Sequence, residues 1–174
     1  MCGFCGYINK KDKKYIKDMA DAIAHRGPDD ESYYKDDDIA LGFRRLSIID
    51  LKGGRQPISN EDNTLVICFN GEIYNFQDIK PDLEKKGHIF KTKTDTEVIL
   101  HGYEEYGEKI LDKIRGMFAF VIWDKKNKKL FGARDHFGQK PFYYCSMQNT
   151  FMFGSEIKSF LKHPDFLKKI NKKL

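Results

Sequence analysis

The strongest constraint on this chain lies in its last third. There MFAFVIWD, KKLFGARD, PFYYCSM and TFMFG follow one another with only short turns such as KKNKK and QN between them. A parallel pair needs a crossover of a dozen residues or more, and these gaps are far too short, so the segments predict antiparallel hairpins. Upstream, GFCGYI reads as a strand, residues 39–43 and 65–70 as two more, and DLKGGRQPISNEDN as the turn-rich loop between those two.

Three helices are predicted around these strands. In YIKDMADAIAHRGPDD, Ile16, Met19, Ala20 and Ile23 share one helical face, and Gly27-Pro28 stops the run. A second helix runs through IYNFQDIKPDLEKKG, restricted by Pro81, and a third starts at TDTEVILHGYEEYG. Thr94 and Glu97 have capping-box spacing there, which places Asp95 at the first helical position beside exposed backbone N–H groups. Strands with helices grouped outside the hairpins define the α+β class.

Composition narrows the function classes. The 174 residues amount to one domain, and 40% hydrophobic residues against 33% charged exclude a disordered chain. No apolar run nears the roughly 20 residues of a membrane span and no leader is visible, so no membrane partner and a cytoplasmic location are expected. Neither GxGxxG nor GxxxxGK[ST] occurs, so no nucleotide site is visible. The net charge of +5 is concentrated in LKHPDFLKKINKKL, but these lysines lack interleaved aromatics and share the chain with 26 acidic residues. They read as a solvated face, and no nucleic-acid partner is expected.

MCGFCGYI admits two chemistries. Cys2 and Cys5 form a CxxC pair, but no strand precedes it as in a thioredoxin-type site. Cys68 and Cys145 stand isolated in strand candidates, and no paired histidines complete a zinc site. The other reading uses position. If Met1 is removed, Cys2 carries a thiol and an α-amine on one residue. An α-amine titrates near about 7.7–8.0, against about 10.4 for a lysine, so it serves as a base at neutral pH.

MCGFCG, HRGPD, RRLSIID, QPISN, FNGEIYN, TDTEVI, GMFAFVIWD, RDHFGQKPFYY and FGSEIKSF together resemble the glutaminase domain of glutamine-dependent asparagine synthetases, in order and over nearly the whole chain. The resemblance implies a class II glutamine amidotransferase domain over residues 1–174. Its fold would be the four-layer αββα sandwich of N-terminal nucleophile hydrolases. It also implies a C-terminal synthetase domain that is absent from this chain.

Residue roles follow from the resemblance. Cys2 is the nucleophile, and Asn70 and Gly71 are the oxyanion donors. Substrate is held by Arg45, Leu46, Ser47, Ile48 and Ile49, by Asn70 and Gly71 again, and by Glu72 and Asp95. Arg45 would take the α-carboxylate of L-glutamine, and Glu72 with Asp95 its α-ammonium. Without the resemblance, NG after a strand reads as a turn, and Asp95 and Glu72 as ordinary surface or helix-start charges. Lys93 and Thr94 before Asp95 depart from the small residue usual in the family. Arg44 is expected to face solvent. HRGPD reads as a tight turn in which Gly27 is free to take a positive φ, Arg26 helps order the first strand, and His25 is no partner for Cys2. No metal or cofactor is expected for glutamine hydrolysis. ATP and magnesium belong to the absent synthetase domain, which would accept the ammonia, and a homodimer is one expected assembly. Two alternatives stay open: a stand-alone or regulatory glutamine-binding module, and the glutaminase domain of another class II amidotransferase.

Overall fold

A computed structural model describes residues 1–9, 12–47, 53–147 and 149–169. The predicted strands are present: β1 (Gly3–Ile8), β3 (Ile39–Arg45), β5 (Leu65–Ile73), β6 (Gly116–Asp124), β7 (Lys129–Arg134), β8 (Tyr143–Met147) and β9 (Thr150–Gly154). Two further strands, β2 (Asp30–Lys35) and β4 (Ile58–Ser59), were not anticipated. DESYYK in β2 is half-buried along nearly its whole length, so it shows no apolar alternation, and β4 is two residues long.

The strands form two antiparallel sheets, ordered β2-β3-β1-β9-β8 and β4-β5-β6-β7. The hairpins expected in the last third are β6-β7 and β8-β9. Asp124 closes the first turn by accepting the Asn127 N–H at 2.9 Å, while Lys128 takes a φ of 50°.

Three apolar layers show how the sheets and helices stack. One holds Cys5, Tyr7, Ile16, Met19, Ala20 and Ile23, between the first sheet and α1 (Ile16–Asp21). The second holds Phe4, Leu41, Phe43, Val66, Cys68, Val121 and Phe153, contributed by both sheets. The third holds Ile67, Phe69, Ile99, Tyr103 and Phe120, between the second sheet and α3 (Thr96–Tyr106). Three apolar layers separate four structural ones, so the fold is the αββα sandwich. Among the described residues no helix is long and apolar enough to cross a membrane.

Local expectations fare unevenly. α1 ends at Asp21, and a 3-10 turn over Ala24–Arg26 leads into Gly27. Gly27 has φ −149°, not a positive value. It is glycine for another reason: a Cβ there would lie 2.3 Å from the carbonyl carbon of Arg44. Pro81 lies inside α2 (Phe76–Lys85) instead of limiting it; the carbonyl it leaves without a donor belongs to exposed Gln77, where water can reach. The capping box does not form. Asp95 is the N-cap residue, and Glu97 turns back past Thr94 to accept the N–H groups of Lys91 (3.0 Å) and Thr92 (2.6 Å).

Candidate active site

Alternation along β1 separates the two cysteines of the opening motif. Cys5 is fully buried beneath α1, and burial pushes its thiol pKa far up. Cys2 packs against the inter-sheet layer instead. Residues three apart on a strand face opposite sides, so this pair cannot share a metal or a disulfide. The Cys2 Sγ donates to the Leu46 carbonyl at 3.4 Å and accepts the Leu46 N–H at 3.3 Å. Arg26 Nε donates to the Cys2 carbonyl at 3.0 Å and Arg26 Nη1 to Glu156 at 3.1 Å, so Arg26 orders the chain start as expected. His25 lies 2.8 Å from Glu156 and 3.2 Å from Lys158, engaged away from Cys2.

The same alternation settles the arginine pair on β3. Leu41 and Phe43 face the inter-sheet layer, so Arg45 leaves the strand on that side and Arg44 on the other. Arg44 is not the solvent-facing neighbour expected. Its side chain is 12% exposed, bonded to Asp21 and paired with Glu31 at 2.6 Å across α1 and β2. HRGPD has a matching purpose: the Asp29 N–H donates to the Arg45 carbonyl (3.1 Å), and the Asp29 carboxylate accepts the Ser47 N–H (2.8 Å). This loop therefore fixes the exit of β3.

A cleft of about 210 Å³ opens where these pieces meet. Cys2, Arg45 and Leu46 line it from the first sheet. Gly71 and Glu72 of β5 line it with Thr94, Asp95 and Thr96 at the start of α3. Pockets for drug-sized ligands run to about 300–1,000 Å³, so this one suits a small solute. A guanidinium and two carboxylates in so small a space complement a zwitterionic amino acid better than any singly charged molecule.

Each lining position has a local cause. Gly71 lies within β5, not in a turn, because β6 approaches so closely that a Cβ would meet the Met117 carbonyl oxygen at 2.2 Å. Asn70 shares the inter-sheet side of β5 with Val66 and Cys68. Its side chain is almost fully buried, and among the described residues its Nδ2 has no hydrogen-bond partner. Asp95 accepts the Ile73 N–H at 2.7 Å. Burial pushes its carboxyl up to about 6, against the pull of that N–H and with the negative charge of Glu72 adding to the rise.

Of the expected site residues, Cys2, Arg45, Leu46, Gly71, Glu72 and Asp95 line the cleft, while Asn70 and Ser47 do not. Ile48 and Ile49 lie outside the described residues. Gln56, in QPISN, was not singled out although it lines the cleft. Its amide pairs with both backbone groups of Phe69, accepting the N–H at 2.6 Å and donating to the carbonyl at 3.0 Å, which holds another lining residue in place. A buried glutamine beside a proline gives no periodic signal that sequence reading could use.

Two antiparallel sheets between helical layers, with a cysteine beside an amino-acid-sized cleft, are the architecture of N-terminal nucleophile amidotransferases. Residues 1–174 match the glutamine amidotransferase domain family, and the chain belongs to it. It is 49% identical over 168 residues to asparagine synthetase [glutamine-hydrolyzing] 1 of Bacillus subtilis, covering 92% of this chain and 27% of that protein. It is 47% identical over 178 residues to asparagine synthetase [glutamine-hydrolyzing] 2 of the same organism, covering 98% and 24%. The chain thus spans about a quarter of the length of these curated relatives. Among solved structures, glutamine phosphoribosylpyrophosphate amidotransferase from B. subtilis superposes with a TM-score of 0.75 at 21% identity, over 92% of this chain and 43% of that one. At that identity the likeness concerns the fold.

Proposed function

We propose that this chain hydrolyses L-glutamine to glutamate and ammonia, with Cys2 as nucleophile once Met1 has been removed. The α-amine of Cys2 takes the thiol proton, and the sulfur attacks the side-chain carboxamide carbon. The oxygen becomes an oxyanion, held by the Asn70 side-chain amide and the Gly71 N–H. The α-ammonium then gives its proton to the departing nitrogen, ammonia leaves, and water hydrolyses the glutamyl thioester. Arg45 holds the substrate carboxylate and Glu72 with Asp95 its ammonium, while Leu46 forms part of the adjoining wall. None of these steps needs a metal or cofactor.

The observation that carries this reading is the cleft that gathers Cys2, Arg45, Gly71, Glu72 and Asp95, with Asn70 Nδ2 next to Gly71 as a buried donor that has no partner among the described residues. An unmade buried hydrogen bond costs about 1–3 kcal/mol, and an arriving oxyanion would recover it. The ammonia acceptor is proposed to be a synthetase domain that converts aspartate to asparagine with ATP and magnesium, as the names of the relatives suggest.

The test compares glutamine turnover by protein with Met1 retained and with Met1 removed, identified by intact mass and N-terminal sequencing. Activity is expected only after removal, and equal rates would sink the terminal-amine mechanism. Cys2→Ala should abolish turnover and keep glutamine binding. For the acceptor, the chain joined to its synthetase domain should transfer amide-labelled nitrogen from glutamine into asparagine, and label found only as free ammonia would refute that half of the reading.

A further inference from the structure

Away from the Cys2 cleft, four side chains converge where α3 meets two loops. We infer that Glu61, His88, His101 and Glu104 form a binding site for one divalent first-row cation, with zinc the best match. Glu61 lies in the turn between β4 and β5, His88 follows α2, and His101 and Glu104 lie one turn apart on α3. One ligand atom from each falls within 4.8 Å of all the others.

The spacing favours a shared ion over direct ion pairs. His88 Nδ1 is 3.4 Å from Glu61 Oε1 and 3.7 Å from Glu104 Oε2. His101 Nδ1 is 3.4 Å from Glu61 Oε2 and 3.9 Å from Glu104 Oε2. Charge-assisted hydrogen bonds close to about 2.7–2.9 Å, so these contacts are too long for good ones. Atoms bound at about 2.0–2.1 Å to one tetrahedral ion stand about 3.3–3.4 Å apart, which is where this cluster begins.

The second observation is His101 itself. It is 1% exposed, and among the described residues neither ring nitrogen makes a hydrogen bond. The His88 ring, at 4.9 Å, and the edge-on Phe90 ring, at 4.7 Å, hold it aimed at the cluster. Both histidines are also backed by carboxylates on the far nitrogen: His88 Nε2 lies 3.2 Å from Glu105, and His101 Nε2 faces Glu97 at 3.8 Å. Carboxylates behind metal-bound imidazoles fix the tautomer that leaves the other nitrogen for the metal. Two neutral imidazoles and two carboxylates suit a divalent ion in charge as well as in number.

Such an ion would tie the β4–β5 turn and the segment after α2 to the helix that has Asp95 at its N-cap. The cluster escapes sequence reading because its histidines are 13 residues apart and Glu61 lies 27 before His88, with no metal-motif spacing.

The experiment titrates Zn2+ and Co2+ into the full chain after dialysis against a chelator, following stoichiometry by calorimetry and stability by thermal unfolding. One equivalent should bind, and at a hundredfold excess over Kd the Tm should rise on the order of 5–10 °C. Co2+ should give visible absorption without a thiolate charge-transfer band. His88→Gln and Glu104→Gln should each weaken binding at least tenfold while keeping glutamine turnover, since neither lines the Cys2 cleft. Absence of stoichiometric binding, binding unchanged in both variants, or a thiolate band would overturn the proposal. If a variant fails to fold, the wild-type stoichiometry and cobalt spectrum decide it.

Discussion

Asp95 should make the empty protein less stable than it could be, and Asp95→Asn should reveal by how much. Its carboxyl is buried, and its pKa stands at about 6 instead of 3.8. The folded state therefore holds a proton that the unfolded chain releases. Below about pH 3.8 both states are protonated and the group costs nothing. As pH rises towards 6 stability falls, and above 6 the full penalty applies. A shift of about two units corresponds to roughly 3 kcal/mol. The amide of the variant would keep an oxygen for the Ile73 N–H and remove the charge, so a gain of about 1–3 kcal/mol is expected at pH 8, or several degrees in Tm. At pH 5 the gain should shrink to about half. The assay is thermal unfolding of both proteins from pH 4 to 8, in a Cys2→Ala background so that added glutamine persists. Glutamine should raise the Tm of the Asp95 protein and not that of the variant, because the ammonium supplies the missing partner. A variant less stable at pH 8, or a gain that does not change with pH, would refute the reasoning.

Arg45→Ala should lower kcat/KM for glutamine by roughly 30-fold or more, because a desolvated carboxylate loses its partner, while iodoacetamide labelling of Cys2 stays unchanged; equal loss in both would point to a distorted strand instead. Asn70→Ala should cost about 3 kcal/mol in kcat with little loss of stability, since its Nδ2 has no partner among the described residues; rates within twofold of wild type would remove it from the oxyanion role. Asp135→Ala should destabilise by about 3 kcal/mol or more, measured by urea unfolding. Its carboxylate accepts the N–H groups of Phe118, Phe137, Gln139 and Lys140, which would all lose their acceptor.

What the sequence disclosed follows from what repeats in it. β6 to β9 were legible because each presents an apolar run bounded by turn residues. The half-buried DESYYK of β2 does not, and it emerged only through its pairing with β3. Gly27 was read as a turn glycine, and Gly71 reads as one without the resemblance, yet both are required by the approach of a second backbone segment distant in sequence. The motif separated Arg45 from Arg44, but the pairing of Arg44 with Asp21 and Glu31 followed only once strand alternation had an absolute facing. Glu97 had the right spacing for a cap, but tertiary structure offered it better donors at Lys91 and Thr92. The cleft residues were recognisable through their motifs; their convergence, and the roles of Gln56 and Asp29, depend on loop paths that no local pattern records.

The place of β1 between β3 and β9 ties the setting of the thiol to the last strand of the fold. Phe4, two residues after the thiol, is bonded to Ser155 through both its N–H (3.1 Å) and its carbonyl (2.8 Å), and β9 flanks β1 along Cys5–Ile8. The cysteine and the strand that completes the seating of β1 are separated by about 150 residues of sequence. Without β9, β1 would have β3 for a neighbour on one edge and an unpaired edge on the other. The setting of Cys2 thus depends on two segments far apart in sequence being brought edge to edge, and a lesion in β9 would reach the thiol through β1 without touching the cleft.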